Sequence, residues 1–371
     1  AEAAITPYPG DNPWVDRHFL NIAHQGGEDE VPSATMYALK PAISEGGADM
    51  LEIDVQLTSN NRLVVIHDDT WTRTGCHPDD MPACPSAPGS VGGDDTDPAQ
   101  VAAAQAARDP FQIRTHTLAE VRQVDAGYWF RPNSYSHSDL PDSEFPFRGI
   151  ATGERPPPPG FTSHDFRIPT LEEVLDTFPD TPINIEIKMP KSYEPDNPYV
   201  PPLSSGTCGA AAGIQLCDDL DLTVATTDAL IELMSRPEYS ERDDIIVVSF
   251  AQEPMAQFAA GAPHVYRAPS APALADYILD ELDGDPGTDP VLDPDPAAFQ
   301  VPPMEGPFAV PNILLASPFS AHANNRAVHV FTDGDQDETD ARYREFYDLG
   351  IDGLMTSRPR ALHAFLSANE I

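Results

Sequence analysis

Met50-Leu51-Glu52-Ile53-Asp54-Val55-Gln56-Leu57 is followed, after Thr58-Ser59-Asn60-Asn61, by Arg62-Leu63-Val64-Val65-Ile66-His67-Asp68. Val55, Leu57, Leu63, Val65 and Ile66 supply the apolar pattern of a strand and a returning strand. Asn60-Asn61 fits a two-residue turn in which both residues tolerate positive φ. With that turn, paired positions sum to 121, and Asp54 is expected opposite His67. Opposed residues of a hairpin have Cβ atoms about 4.5–5.5 Å apart. Glu52 and Asp54 share a face because side chains alternate with period two. Flanked by Leu51, Ile53 and Val55, they read as a carboxylate pair held in apolar surroundings with an imidazole in reach.

The hairpin also decides the fold. Parallel strands need a crossover of about a dozen residues, and the gap between Val55 and Leu63 is too short for one. Leu63–Ile66 is therefore a return arm, and the parallel strands lie elsewhere. Short β-branched runs separated by helical patterns mark eight candidates: Phe19–Ala23, Met50–Val55, Ile183–Lys188, Ile245–Phe250, His264–Arg267, Ala298–Val301, Val328–Thr332 and Gly353–Thr356. Eight parallel strands close most naturally into a TIM (β/α)₈ barrel. The usual barrel of about 250 residues leaves roughly a hundred for insertions. We expect a single domain over residues 1–371, with insertions at about 69–168, 190–220 and 281–297 on the C-terminal face. Thr170 reads as the N-cap of a helix through Leu171-Glu172-Glu173-Val174-Leu175.

With 21 basic and 60 acidic residues the net charge is −39, and Lys40, Lys188 and Lys191 are the lysines. Such a field argues against nucleic acid or an anionic membrane as partner. It also repels a phosphate substrate unless a cation and a few basic groups reverse the potential locally. No apolar run approaches the roughly 18–20 residues needed to span a bilayer. Cys76 and Cys84, and Cys208 and Cys217, form two close pairs in Pro/Gly-rich sequence without zinc-site spacing. Two local disulfides are expected. Together with a start at Ala1 that lacks a basic-then-apolar leader, they suggest a processed, secreted or periplasmic protein, expected as a monomer.

Two further strand ends carry chemistry. The first strand runs into His24-Gln25-Gly26-Gly27, a general acid/base position followed by glycines that let a ligand approach the backbone. Asn184-Ile185-Glu186-Ile187-Lys188 places Glu186 and Lys188 on one face. Charged inward residues of a barrel belong at its open end, so Glu52, Asp54 and Glu186 are candidate ligands of one Mg²⁺ or Ca²⁺ ion. Lys188 is a candidate phosphate contact, and His24 and His67 are candidate proton carriers for displacement at phosphorus. Tyr128, Trp129 and Phe130 are expected to pack the core of an insertion. The chain has no Gly-x-Ser-x-Gly motif and no Walker loop.

At these residues the chain resembles the glycerophosphodiester phosphodiesterase family. The matching pieces are His24-Gln25-Gly26, Glu52-x-Asp54-Val55, Val65-Ile66-His67-Asp68, Ile168-Pro169-Thr170-Leu171-Glu172-Glu173, Ile185-Glu186-Ile187-Lys188, Val247-Val248-Ser249-Phe250, Val328-His329-Val330-Phe331-Thr332 and Gly350-Ile351-Asp352-Gly353 through Pro359. The resemblance implies a TIM barrel that uses a divalent metal to hydrolyse glycerophosphodiesters to glycerol 3-phosphate and an alcohol. His24 and His67 would be its acid/base pair, Glu52, Asp54 and Glu186 its metal ligands, and Lys188, Gln25 and Phe331 would contact substrate. Gln25 stands where the family usually has Arg, and Phe331 where it usually has Trp. Arg is a charged bidentate clamp that Gln does not replace, which makes Arg73 and Arg267 candidates to supply the charge. The competing readings are a lyase-type phospholipase D of the sphingomyelinase D kind, and a barrel-fold binding protein that has lost activity.

Overall fold

The computed structural model describes residues 8–371 apart from 16–18, 82, 95, 133, 136–139, 194–212, 284–294, 304–318 and 333. Eight parallel strands carry the fold: β1 (Leu20–His24), β2 (Met50–Leu57), β3 (Ile183–Ile187), β4 (Ile245–Val248), β5 (Tyr266–Arg267), β6 (Ala298–Val301), β7 (Ala327–Phe331) and β8 (Gly353–Thr356). Their order in the sheet is β5-β4-β3-β2-β1-β8-β7-β6. Ala297 N–H donates to Arg267 O at 2.8 Å across the remaining seam. The sheet is thus a nearly closed TIM barrel, as the β-branched runs predicted.

Alternation explains how the barrel is filled. Leu20 and Ile22 of β1, Met50 of β2, Ile246 and Val248 of β4, Ala298 of β6, Ala327 of β7 and Met355 of β8 form one buried cluster, with Trp14 packed among them. Leu51, Ile53 and Val55 of β2 join Ile183, Ile185 and Ile187 of β3 in a second cluster with the helices Met36–Ser44 and Leu171–Thr177 outside the barrel. Fully burying one such side chain is worth about 1.5–3 kcal/mol. Even-numbered positions of β1 to β3 therefore face inward. Thr170 caps the helix Leu171–Thr177 in a reciprocal box with Glu173.

The hairpin is present but its register differs from the expectation. β2 pairs antiparallel with Leu63–Val65, Val55 opposite Val65 and Leu57 opposite Leu63, so paired positions sum to 120, not 121. Ile66 N–H donates to Asp54 O, so Asp54 lies opposite Ile66, not His67. The reason is Thr58. Its hydroxyl accepts from Arg62 N–H and its own N–H donates to Arg62 O, each at 3.0 Å. That closes a three-residue loop in which Asn61 alone takes positive φ (56°).

Of the insertions, the segment after the hairpin includes the helix Pro98–Arg108 and the disulfide Cys76–Cys84, which packs with Tyr128, Trp129 and Phe145. Cys217 is disulfide-bonded; its predicted partner Cys208 lies outside the described residues, as does most of the predicted 281–297 insertion. Among the described residues no helix is long and apolar enough to cross a membrane.

Candidate active site

Parallel register brings the acidic residues together. His24 is the β1 partner of Glu52, and Asp54 is the β2 partner of Glu186 on β3. Adjacent strands lie about 4.8 Å apart, so inward side chains at matched heights must meet. Glu52, Asp54 and Glu186 each offer a carboxylate oxygen, and these lie within 4.8 Å of one another. Glu52 is 2% exposed and Asp54 0%. Neither Asp54 oxygen has a hydrogen-bond partner, and Lys188 Nζ stands 3.6 Å from Oδ1. Burial, followed by repulsion from Asp54, raises the Glu52 carboxyl well above its ordinary range. A buried carboxylate without a donor is costly. Three oxygen donors converging on one point, with Asp54 orphaned among them, fit a hard divalent cation.

His24 is set by the turn behind it. Gln25 (φ 49°), Gly26 (80°) and Gly27 (96°) are consecutive left-handed residues, which fold the chain back and place Glu28 on His24 Nδ1. A Cβ at Gly27 would lie 2.8 Å from Pro359 Cδ, so only glycine fits there. Glu28 also accepts from Ser357 Oγ at 2.8 Å, just past β8. His24 Nε2 faces Glu52 Oε2 at 3.6 Å. Burial works against a charge on the His24 ring, but Glu28 and Glu52 outweigh it and push its pKa up to about 10.

His67 reaches the site from the hairpin exit. Its Nδ1 meets Asp68 Oδ1 at 2.6 Å, and Arg73 Nε donates to Asp68 Oδ2 at 2.6 Å. Burial opposes ionisation of Asp68, yet its hydrogen bond with His67 and the Arg73 charge hold its carboxyl far below the ordinary range. Lys188 Nζ lies 3.1 Å from His67 Nε2 and 2.8 Å from Glu186 Oε1. Burial disfavours the ammonium, but Glu186 and Asp54 keep it charged at any physiological pH. Lys188 therefore joins His67 to the carboxylates, in place of the direct opposition to Asp54 that the sequence suggested.

A cleft of about 430 Å³ opens beside Lys188, His67 and Glu186, with Phe250, Arg108 and Lys191 on its walls. Phe331 meets Phe250 edge to face at 6.4 Å. Gln25 is buried at 3% exposure; its N–H donates to Glu52 Oε2 at 3.0 Å and its side-chain oxygen accepts from Ser33 Oγ. Of the arginines considered for the missing charge, Arg73 is engaged with Asp68. Arg267 Nη1 donates to Val265 O at 2.7 Å, a carbonyl preceding β5. Sequence reasoning gave no role to Glu28, Phe250, Arg108 or Lys191. Only Glu28 had a local signal, a carboxylate four residues after His24 across two glycines.

Fold and site together define a TIM-barrel protein with a buried three-carboxylate cluster and two imidazoles at its C-terminal rim. Residues 24–200 match the model of the Glycerophosphoryl diester phosphodiesterase family, which supports the family resemblance read from the sequence. It is 27% identical over 175 residues to the glycerophosphodiester phosphodiesterase of Bacillus subtilis strain 168, covering 47% of this chain and 41% of that protein. It is also 27% identical over 176 residues to the lysophospholipase D GDPD1 of Mus musculus, covering 47% of this chain and 37% of that one. The chain thus matches less than half the length of these curated relatives. Among solved structures it resembles the glycerophosphodiester phosphodiesterase of Agrobacterium tumefaciens C58, with TM-score 0.51 and 17% identity over 94% of this chain and 100% of that one. It also resembles a phosphodiesterase of Oleispira antarctica in complex with the product sn-glycerol-3-phosphate, with TM-score 0.53 and 18% identity over 93% and 96%. At these identities the structural likenesses establish the barrel.

Proposed function

We propose that this protein hydrolyses glycerophosphodiesters to glycerol 3-phosphate and an alcohol, with Glu52, Asp54 and Glu186 holding one divalent cation, Ca²⁺ or Mg²⁺. The observation that carries the reading is the convergence of three carboxylates within 4.8 Å around an Asp54 whose buried oxygens have no donor. A divalent cation bound there would supply charge neutralisation for the phosphate oxygens. The chain's own groups do the rest. Lys188, charged and 17% exposed at its side chain, gives the negative phosphate a foothold in a strongly acidic protein.

The histidines divide the proton work. His24 lies between Glu28 on Nδ1 and Glu52 near Nε2, which favours the doubly protonated ring. It is the acid that gives a proton to the leaving oxygen. His67 Nε2 faces the Lys188 ammonium, a group that only donates, so Nε2 presents its lone pair and Nδ1–H donates to Asp68. It is the base for the attacking oxygen. Phe250 and Phe331 wall the glycerol end, and Gln25 supports Glu52 through its N–H. The Cys76–Cys84 disulfide supports a secreted or periplasmic setting.

The test follows phosphorus NMR of glycerophosphodiesters and lysophosphatidylcholine incubated with the protein in Ca²⁺, Mg²⁺ or EDTA. Glycerol 3-phosphate formed with metal and lost with EDTA is expected. Full turnover in EDTA removes the cation from the reading, and a cyclic lysolipid phosphate replaces hydrolysis with the lyase alternative.

A further inference from the structure

Glu338 is a carboxylate that the proton and phosphate roles above leave unused. It lies between β7 and the helix Asp340–Leu349 and is 7% exposed. Its Oε1 accepts from Thr332 Oγ1 at 2.7 Å and from Ser357 N–H at 2.8 Å. Its Oε2 accepts from the Tyr343 hydroxyl at 2.6 Å and from Thr356 Oγ1 at 2.6 Å. Two donors on each oxygen fill the accepting capacity of an ionised carboxylate. Thr332 follows β7, Thr356 ends β8 and Ser357 comes next. One buried group therefore fixes the ends of two adjacent strands.

The turn that carries His24 is set against this anchor. Ser357, whose N–H is held by Glu338, donates its own hydroxyl to Glu28 Oε1 at 2.8 Å. The same Glu28 oxygen meets His24 Nδ1. Glu28 Oε2 is buried without a hydrogen-bond partner, so its carboxylate is aimed through Oε1. Ser357 O also accepts from Asp29 N–H at 3.3 Å, and Arg358 Nε donates to Asp29 Oδ2 at 2.9 Å. Residues 356–359 thus form the surface on which residues 27–29 are laid. A working side chain has to be held within about 0.5 Å of its productive place, and a serine hydroxyl reaches only where its backbone puts it. The contacts from Glu338 through Ser357 and Glu28 carry that precision from the junction of β7 and β8 to the His24 ring.

We propose that Glu338 and Ser357 are positioning residues for His24, Glu338 fixing the Ser357 backbone and Ser357 aiming Glu28 at Nδ1. The proposal rests on the acid role given to His24 above. A carboxylate that only staples β7 to β8 acts on stability alone. One that aims the acid also governs how strongly the rate depends on the leaving group.

The test compares kcat for glycerophosphocholine or glycerophosphoglycerol, whichever the parent turns over faster, with kcat for a nitrophenyl diester of glycerol phosphate, whose leaving group needs no acid. Both are measured with Ca²⁺ or Mg²⁺ present in the parent, His24→Ala, Ser357→Ala and Glu338→Gln. Ser357→Ala and Glu338→Gln are each expected to lower kcat for the alcohol diester by about tenfold, the scale for losing a partner that orients a working histidine. KM should be kept and the nitrophenyl rate should fall far less, so the ratio of the two rates moves toward that of His24→Ala. The double variant should lose little more than Ser357→Ala alone, because both act through one hydroxyl. Tyr343→Phe removes a donor from Oε2, away from Ser357, and should lower the thermal midpoint with the ratio unchanged. Should Glu338→Gln not fold, Thr332→Val takes one donor from Oε1 and is expected to move the ratio the same way by a smaller factor. A ratio that moves in His24→Ala but in neither Ser357→Ala nor the Glu338 or Thr332 variant overturns this proposal alone, as do additive losses in the double variant. A ratio unmoved in His24→Ala overturns the acid role and this proposal with it, and turnover of neither diester by the parent overturns the hydrolysis reading as well.

Discussion

His24 is part of the barrel, and His67 is brought to it. The first sits at the last position of β1, in register with Glu52, and its Nδ1 partner Glu28 is tied to Ser357 just past β8. Every atom that orients it comes from the rim where β2, β1 and β8 adjoin. The second lies two residues beyond the return strand Leu63–Val65. It is oriented by Asp68 and Arg73 from its own loop and by Lys188 across the site. Both rings nevertheless present Nε2 inward with Nδ1 on a carboxylate. One arrangement recurs, built once from backbone register and once from loop side chains.

The difference has a chemical consequence. Two carboxylates attend His24, whereas a carboxylate already matched by Arg73 and an ammonium attend His67. The opposite proton roles proposed for the two rings rest on that difference. Removing either ring should show this first and most strongly. His24→Ala and His67→Ala are each expected to lower kcat by about 10²–10⁴-fold. An activated diester with a nitrophenol leaving group needs no acid, so it should restore much of the His24→Ala rate and none of the His67→Ala rate. Equal rescue of both, measured by nitrophenolate release, removes the division of roles.

A smaller effect probes the Nδ1 partners. Glu28→Gln and Asp68→Asn keep the shape and lose the charge, and each is expected to cost about 10–100-fold, the usual scale for a carboxylate that orients a working histidine. The readout beyond rate is the pH profile of kcat/KM. Glu28→Gln should move its alkaline limb to lower pH, because the charge that keeps His24 protonated is gone. A limb that stays in place shows Glu28 to be a packing residue. Arg73→Ala should follow Asp68→Asn at a lower cost, about tenfold or less, falling on kcat while KM is kept. A rise in KM with kcat unchanged would instead make Arg73 a phosphate clamp, the role its sequence position first suggested.

The two halves also differ in how far they could be read from the chain. The eight strands were legible because β-branched runs recur between helical patterns. His24, Glu52, Asp54 and Glu186 could be gathered from their places near strand ends, because charged inward residues of a barrel belong at its open end. The hairpin was not legible to the residue. Asn60-Asn61 satisfies a two-residue turn, and only the Thr58 hydroxyl, bonded to Arg62, tips the loop to three. That one-residue slip removed the predicted contact between Asp54 and His67, and Lys188 restores the link by its length. Glu28 escaped notice because one more glutamate in a chain of 60 acids carries no compositional mark. Arg108 and Lys191 escaped because insertion loops dock by side-chain pairs such as Arg108–Asp69, which have no period to detect.

If the His67 half depends on loop packing, its stability should respond to a single buried group in a way the His24 half does not. Asp125 is that group. Its backbone bridges Cys76, three residues after Arg73, and its carboxylate accepts from Gly127 N–H at 3.2 Å and Gly149 N–H at 2.7 Å. Burial pushes its pKa up to about 6 from 3.8, although the two N–H groups pull it down. A raised carboxyl means that the folded segment binds its proton more tightly than the unfolded one does. The stabilisation is complete below pH 3.8 and is lost as pH rises through about 6, by up to about 3 kcal/mol. Asp125→Asn keeps one acceptor oxygen and cannot ionise. Hydrogen exchange at the Gly127 and Gly149 amides, corrected for the intrinsic pH dependence, should show protection falling between pH 4 and 7 in the parent and nearly flat in the variant. Amides of β1 and β8 should behave alike in both. The same slope in parent and variant would mean that another group governs the loop, and a slope at β1 as large as at Gly149 would mean that the two halves open as one.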